Sequence, residues 1–293
     1  MSRWWILGIV LTGAGCDRVF GLTRDGPSDA VVDMPADVTL DAAPCVDPTG
    51  ADEDLDGVLD ACDNCPQVAQ TSFDDDDQDG VGNACDPNPG KRDTQVAFFN
   101  FRAPSPQLGL RIDPGPGTWM LSNGALVLAN AVVDGDYLAF FDAAARDVTV
   151  DTALTITSLP VPQLGHSQSI GLWADIDGAS ADPTFPTGMV YELVSVPTMN
   201  FAHITETFHL PTNTIESSPA PSLFTQGRRY RLRFACQGIT TPACIGRATF
   251  DTNNTTVTIA LPSGTTRTGG VGLRVHGDVT AAFDYLVVYR GPE

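Results

Sequence analysis

Two stretches of this chain place a carboxylate at every second residue and then turn: Asp52-Glu53-Asp54-Leu55-Asp56-Gly57 and Asp75-Asp76-Asp77-Gln78-Asp79-Gly80. A segment this acidic cannot fold around an apolar core, because its like charges repel and few apolar side chains oppose them. Counting each first Asp as position 1, oxygen-bearing side chains recur at positions 1, 3, 5, 9 and 12, with Gly at position 6. That register is the logic of a calcium loop. The ion takes about six to eight oxygens at roughly 2.3–2.6 Å, so alternate side chains must point inward and the chain must turn sharply in the middle. The expected ligands of the first loop are Asp52, Asp54, Asp56, Asp60 and Asp63 with the Val58 carbonyl. Those of the second are Asp75, Asp77, Asp79, Asn83 and Asp86 with the Val81 carbonyl. The plain alternative is a solvated acidic run, but a bare charge run has no reason to repeat its register with Gly at the same offset. Without a cation the gathered carboxylates repel, so metal binding and folding are expected to be coupled here.

Cysteines punctuate the same region. Cys62, Cys65 and Cys85 sit in or beside the loops, and Cys45 lies just upstream. The run Asp60-Ala-Cys62-Asp-Asn-Cys65-Pro66, followed by Gly82-Asn-Ala-Cys85-Asp86, resembles the thrombospondin type 3 repeat. The resemblance implies a module at 45–90 with almost no apolar core, held by calcium and disulfides. It also implies pairing between sequence neighbours, Cys45–Cys62 and Cys65–Cys85, which leaves Cys236 and Cys244 as a local pair. Two departures stand out. Asn83 occupies a position where the family often has Asp, and the array has only two loops. A zinc site through Cys62-x-x-Cys65 is the competing reading, but the second half of such a site is missing.

The first 16 residues read as a targeting segment. Arg3 gives a positive start, and Trp4 to Leu11 form an apolar run. That run is too short for a bilayer core of about 30 Å, which needs roughly 20 residues. Gly13-Ala14-Gly15 then precede Cys16, an arrangement that resembles a bacterial lipoprotein signal with Cys16 as the lipidated mature N-terminus. An ordinary cleaved signal and an uncleaved hydrophobic N-terminus are the alternatives. Export agrees with cysteine parity: of seven cysteines, a lipidated Cys16 leaves an even number, as suits an oxidising compartment. Asp17 resembles an inner-membrane retention signal of some bacteria, and both membranes stay open as the destination.

The net charge of −20 is concentrated near the front. Residues 17–93 carry 20 acidic and 4 basic side chains, against 16 and 11 in residues 94–293. Nothing here offers the basic face that nucleic acid demands. Residues 17–44, rich in Asp, Ala and Pro, read as a flexible tether.

From residue 94 the character changes to short apolar and β-branched runs broken by Gly, Pro, Asn and Asp. Val96–Phe101, Ala125–Leu128, Tyr137–Phe141, Val148–Ile156, Ser169–Trp173, Met189–Val194, Tyr230–Phe234, Thr256–Ala260, Val271–Val275 and Ala282–Tyr289 are examples. None carries a long helical stripe, so the expected fold is mainly β: an antiparallel jelly-roll β-sandwich over 94–293, preceded by the loop-rich calcium- and disulfide-stabilised module. Gly117-Thr-Trp119 with Asn123-Gly-Ala-Leu126, and Gly270-Val-Gly-Leu-Arg274 with Ala282-Phe-Asp-Tyr-Leu286, resemble the opening and closing strands of concanavalin A-like, laminin-G-like domains. That resemblance implies a face for carbohydrate or protein, and in some members glycoside hydrolysis.

Catalytic signals are weak. Asp175-Ile-Asp177 is the nearest carboxylate pair for glycoside hydrolysis, but no Glu follows it and Gly178 marks a turn. His166, His203, His209 and His276 are scattered, and the spacing around Glu206 is not that of a zinc protease. Arg229, Arg231 and Arg233 alternate with Tyr230, Leu232 and Phe234, so the arginines share the side away from the core. They read as a solvated face, or as a basic strip for an acidic polysaccharide or for the chain's own acidic module. Trp119 and Trp173 suit sugar stacking or the core. The chain is therefore expected to be an exported, membrane-anchored calcium-binding protein. A calcium-stiffened spacer would display a β-sandwich head for adhesion, binding glycan or a surface protein. A surface-displayed polysaccharide hydrolase and a structural envelope component are the alternatives.

Overall fold

The computed structural model describes residues 50–102, 110–112, 117–145, 147–174, 188–207, 216–219, 224–238, 243–261 and 269–292. The targeting segment with Cys16, the tether, Cys45, Asp175, Asp177 and His209 lie outside the described residues. The chain divides into two compact units, Met1–Pro44 and Cys45–Glu293, and everything described belongs to the second.

Fifteen strands are described: β1 (Thr94–Phe99), β2 (Leu110–Ile112), β3 (Thr118–Ser122), β4 (Ala125–Ala129), β5 (Asp136–Ala145), β6 (Val148–Ser158), β7 (Gln168–Ala174), β8 (Gly188–Val196), β9 (Met199–Thr207), β10 (Glu216–Pro219), β11 (Arg229–Gln237), β12 (Ala243–Phe250), β13 (Asn253–Ala260), β14 (Gly269–His276) and β15 (Thr280–Arg290). They form two antiparallel sheets. One runs β13-β12-β11-β6-β15-β4-β3, with β1 also pairing β15; the other runs β10-β9-β8-β7-β14-β5-β2. The fold is a jelly-roll β-sandwich preceded by a loop-rich segment over 50–93. Its one described helix is a single 3-10 turn, Asp60–Cys62.

Alternation builds the sandwich. On β11, Tyr230, Leu232, Phe234 and Cys236 enter the core while the intervening arginines face outward. Leu154 and Ile156 of β6, Phe283 of β15, Leu172 of β7 and Leu273 of β14 meet them there, all buried. Each such side chain contributes about 1.5–3 kcal/mol by leaving water. Asn123 and Gly124 join β3 to β4 with φ of 51° and 78°, the paired left-handed residues of a two-residue hairpin. Four of the described strands went unread in the sequence: β2, β9, β10 and β12. β12 was obscured by Gly246, which weakens a strand signal. A Cβ there would stand 2.0 Å from Cδ2 of Tyr191, so the ring of Tyr191 uses the space Gly246 leaves. Cys236 and Cys244, directly opposite each other on β11 and β12, are bridged.

Candidate metal centre

The two acidic loops are built alike. At position 4, Leu55 and Gln78 have φ of 64° and 60°; at position 6, Gly57 and Gly80 have 94° and 93°. In each loop the first Asp holds the turn. Asp52 accepts the backbone N–H of Leu55 and of Gly57 at 2.8 and 3.1 Å. Asp75 accepts those of Gln78 and Gly80 at 2.8 and 2.9 Å. Position 5 caps position 7 in both, with Val58 N–H on Asp56 at 2.9 Å and Val81 N–H on Asp79 at 2.6 Å. The turns gather three carboxylates each: oxygens of Asp52, Asp54 and Asp56, and of Asp75, Asp77 and Asp79, lie within 4.8 Å of one another.

Position 9 closes each loop. Asp60 accepts the N–H of Glu53 at 2.8 Å, and Asn83 accepts that of Asp76 at 3.0 Å. Position 12 completes the charge: Asp63 acts on Asp54, and Asp86 on Asp77. Gln70, unremarked in the sequence, ties the first loop together by donating its N–H to Asp56 at 3.2 Å and its side-chain amide to Asp63 at 2.9 Å.

These carboxylates are short of partners. One oxygen of Asp54, one of Asp63 and both of Asp77 are buried without a hydrogen bond. Burial, reinforced by Asp56, Asp63 and Asp52, pushes the Asp54 carboxyl up to about 6. Burial likewise raises Asp86 to about 6, with Asp93 and Asp79 adding repulsion, and raises Asp63 and Asp77. Buried oxygens that lack donors in an all-oxygen cage fit a hard divalent cation, which would supply the missing positive partner. Asp52, Asp54, Asp56 and Asp63 would hold it in the first loop, and Asp75, Asp77, Asp79 and Asp86 in the second.

The loops do not stand free of the sandwich. Cys65 and Cys85 are bridged, and with Val81 they form a buried cluster against Ala153, Tyr285, Val287 and Tyr289 on the outward side of β6 and β15. Polar contacts surround it. Gln67 donates to the Tyr289 hydroxyl, and Arg233 donates to the Cys85 carbonyl at 2.8 Å. Asn100 donates to Asp60 at 2.9 Å, and Arg102 pairs with Glu53 at 3.1 Å. The residues expected to form a spacer therefore lie against the head. The segment packs on the head because Tyr285, Val287 and Tyr289 give β15 a second apolar face. Cys62 is disulfide-bonded, and its expected partner Cys45 lies outside the described residues.

The arginine strip is committed to the same interface. Arg231 and Arg233 close on Asp151, at 2.7 and 2.9 Å, and the Tyr285 hydroxyl donates to it at 3.1 Å. Asp151 is 0% exposed. Burial opposes its charge, but the two guanidiniums hold its carboxyl below the usual range. Arg229 pairs with Asp284 at 2.8 Å. The strip is therefore not a free face for an acidic polysaccharide.

A second polar group crosses the outward side of the other sheet. Glu192 receives Arg274 at 2.5 Å, Ser169 at 2.8 Å and His203 at 3.1 Å, while Arg274 also grips Asp136 at 2.9 and 3.0 Å. Burial pushes the Glu192 carboxyl up, but Arg274 and His203 outweigh it and hold it at about 2. His166 bonds Asp134 at 2.8 Å, which ties two loops at one end of the sandwich. Neither tryptophan is presented to solvent as a platform: Trp173 is buried with Leu138 and Val190, and Trp119 packs 5.9 Å from Phe283.

One open cleft among the described residues lies at the start of β11. Gln226, Arg228, Arg229, Thr249, Phe250 and Asp251 are among the residues that enclose 610 Å³ there. Arg228 lies 5.4 Å from the Phe250 ring centre and 3.3 Å from Asp251.

Comparison with solved structures agrees with the topology. The CBM2 module of the evolved Dit of Lactobacillus casei BL23 phage J-1 superposes with a TM-score of 0.51 at 8% identity, covering 69% of this chain and 98% of that one. Winged bean acidic lectin, solved with methyl-α-D-galactose, gives a TM-score of 0.50 at 10% identity, covering 69% of this chain and 100% of that one. The head is a lectin-like β-sandwich. No protein-family model matches the chain, and no curated protein sequence matches it.

Proposed function

We propose that this is an exported, lipid-anchored calcium-binding protein whose lectin-like head binds a neutral carbohydrate. The paired acidic loops act as a calcium-dependent, thrombospondin type 3-like module. The observation that carries the ligand reading is the cleft beside β11. It is a groove of about 610 Å³, open to solvent, with Gln226, Arg228 and Asp251 along it. Each arginine of the cleft faces a carboxylate: Arg228 with Asp251, Arg229 with Asp284, Arg231 with Asp151. Fixed donors and acceptors with cancelled charge suit the hydroxyls of a neutral sugar better than an acidic polymer.

Binding is favoured over hydrolysis by the same residues. Glycoside cleavage uses two carboxyls, one of them held protonated. Asp251 is the one carboxylate among the cleft's lining residues, and Glu192, elsewhere on the head, is held ionised by Arg274. The test is a glycan array probed with the full chain in calcium and in chelator, with Gln226→Ala as control. Retention of neutral glycans that weakens in Gln226→Ala supports the reading. No retained glycan, or hydrolysis of one, overturns it.

A further inference from the structure

Three connections meet at one end of the sandwich: 130–135 between β4 and β5, 159–167 between β6 and β7, and 277–279 between β14 and β15. Gly277 donates its N–H to the Gly135 carbonyl at 2.8 Å, and His166 bonds Asp134 at 2.8 Å. The Gln168 side chain donates to Asp278 at 2.6 Å and to the Pro160 carbonyl at 3.0 Å. The β8–β9 hairpin turns at the same end, because Gln168 pairs with Ser195 and Val196 with Met199. Apolar side chains project into solvent from this rim: Val132 and Val133 from the first connection, Val161 and Leu164 from the second, Met199 from the hairpin. Val161 and Leu164, at 87% and 90%, are the most exposed large apolar side chains among the described residues. The backbone beneath them is braced. Val132 donates its N–H to the Tyr137 hydroxyl at 2.7 Å, and His166 donates its own to the Gln163 carbonyl at 3.0 Å. Pro160 and Pro162 fix φ on either side of Val161. The scaffold therefore holds these side chains out.

We propose that this end of the sandwich dips into the surface of a neutral lipid bilayer, with Val161 and Leu164 leading. Shape, charge and reach favour that occupant. A rigid partner needs a separate socket for each protruding side chain, whereas the acyl boundary of a bilayer closes around any of them. The three connections contain no Lys or Arg. Their ionisable groups are Asp134 and His166, which face each other, and Asp278, which Gln168 holds. Arg228 of the neighbouring cleft is paired with Asp251. With a net charge of −20 on the chain, nothing at this end draws it to an anionic surface. The chain from Cys16 to Gly50 reaches at most about 120 Å, so a head lipidated at Cys16 stays that close to a bilayer. The inference rests on the lipid-anchor reading for this last point alone; the insertion belongs to the braced loops.

The test adds the full chain to phosphatidylcholine vesicles with brominated acyl chains and reads tryptophan emission, after subtraction of wild type, from Leu164→Trp and Ile245→Trp. Ile245 is the control: it is exposed on β12 opposite Ala235, at the far end of the sandwich. The indole at 164 is expected to lose about half or more of its emission and the one at 245 to keep it, since only acyl-chain contact quenches. Adding Val161→Asp to Leu164→Trp should restore the emission. Both side chains are exposed, so the melting temperature should not move, and if the double variant fails to fold the two single variants decide. Quenching at neither position on vesicles that carry the chain, or at both alike, overturns the proposal and leaves the anchor reading standing. Wild type that does not associate with the vesicles overturns it as well. Quenching that requires phosphatidylglycerol in the vesicles overturns the choice of a neutral surface. Self-association that Leu164→Asp abolishes, without quenching, gives this end to a second copy and also overturns it. The anchor reading is judged separately by Cys16→Ser, which should release the chain from the membranes of the exporting cell.

Discussion

Asp151→Asn is the sharpest perturbation of the surface on which the loops pack. The substitution keeps the size of the side chain and removes the charge that Arg231, Arg233 and Tyr285 converge on, at 2.7, 2.9 and 3.1 Å. Removing one partner of a buried ion pair costs about 3–5 kcal/mol, because the other charge is left uncompensated. The two arginine side chains keep 31% and 27% of their surface exposed, so water recovers part of that loss. The expected destabilisation is therefore about 2–3 kcal/mol. With a urea dependence of about 2–3 kcal/mol per molar, the midpoint should fall by about 1 M. Arg233 also donates to the Cys85 carbonyl, so its release should loosen the loops. Urea unfolding followed by tyrosine fluorescence in calcium measures the first effect, and limited proteolysis between residues 50 and 93 measures the second. A midpoint within about 0.2 M of wild type, with unchanged proteolysis, would refute the reasoning, since so small a shift is far below the cost of an orphaned buried charge.

Acid should weaken the sandwich in a defined window. Glu192 is held at about 2 against an ordinary 4.5, a difference worth about 3 kcal/mol. Its folded form binds the proton less readily than its unfolded form, so this contribution is complete above pH 4.5 and is lost as pH falls toward 2. Unfolding curves across that range should show wild type losing the increment, whereas Glu192→Gln, less stable at neutral pH, should lose less of it. At Gly171 a Cβ would stand 2.1 Å from the Tyr191 carbonyl oxygen, so Gly171→Ala should cost about 3 kcal/mol or more in thermal or chemical unfolding. Gly165, with φ of 88° and nothing near its missing Cβ, is the matched control, and its replacement by Ala should cost only about 1 kcal/mol of backbone strain.

The loop chemistry was legible in the chain because it is local. Positions 1, 3, 5 and 6 act on neighbours a few residues away, and Asp52 and Asp75 make the same contacts for that reason. The sandwich was legible from alternation, as on β11. What alternation withholds is what lies beyond the outward face of a strand. Arg231 and Arg233 read as a solvated face or as a basic strip for an acidic polysaccharide or for the chain's own acidic module; Arg233 does reach that module at the Cys85 carbonyl, but Asp151, 80 residues from Arg231 in the chain, leaves no mark on their own strand. The docking of the loops had one unused signal. Tyr285-Leu-Val-Val-Tyr289 is apolar at successive positions, the pattern of a strand buried on both sides. Asp93 lies beyond the repeat register, which stops at Asp86, and only the fold back onto Asn88 shows where its carboxylate goes.

Hydrogen exchange of the full chain, compared in calcium and in chelator, tests most directly whether a cation organises the loops on the sheet. Calcium is expected to slow exchange across residues 50–93 and, with it, at β1 and the part of β15 from Tyr285 to Tyr289, while β7 and β8 in the opposite sheet change little. Equal exchange in the two conditions over residues 50–93 would contradict the cation reading. Protection of the loops without any change at β1 and β15 would contradict their coupling to the sandwich.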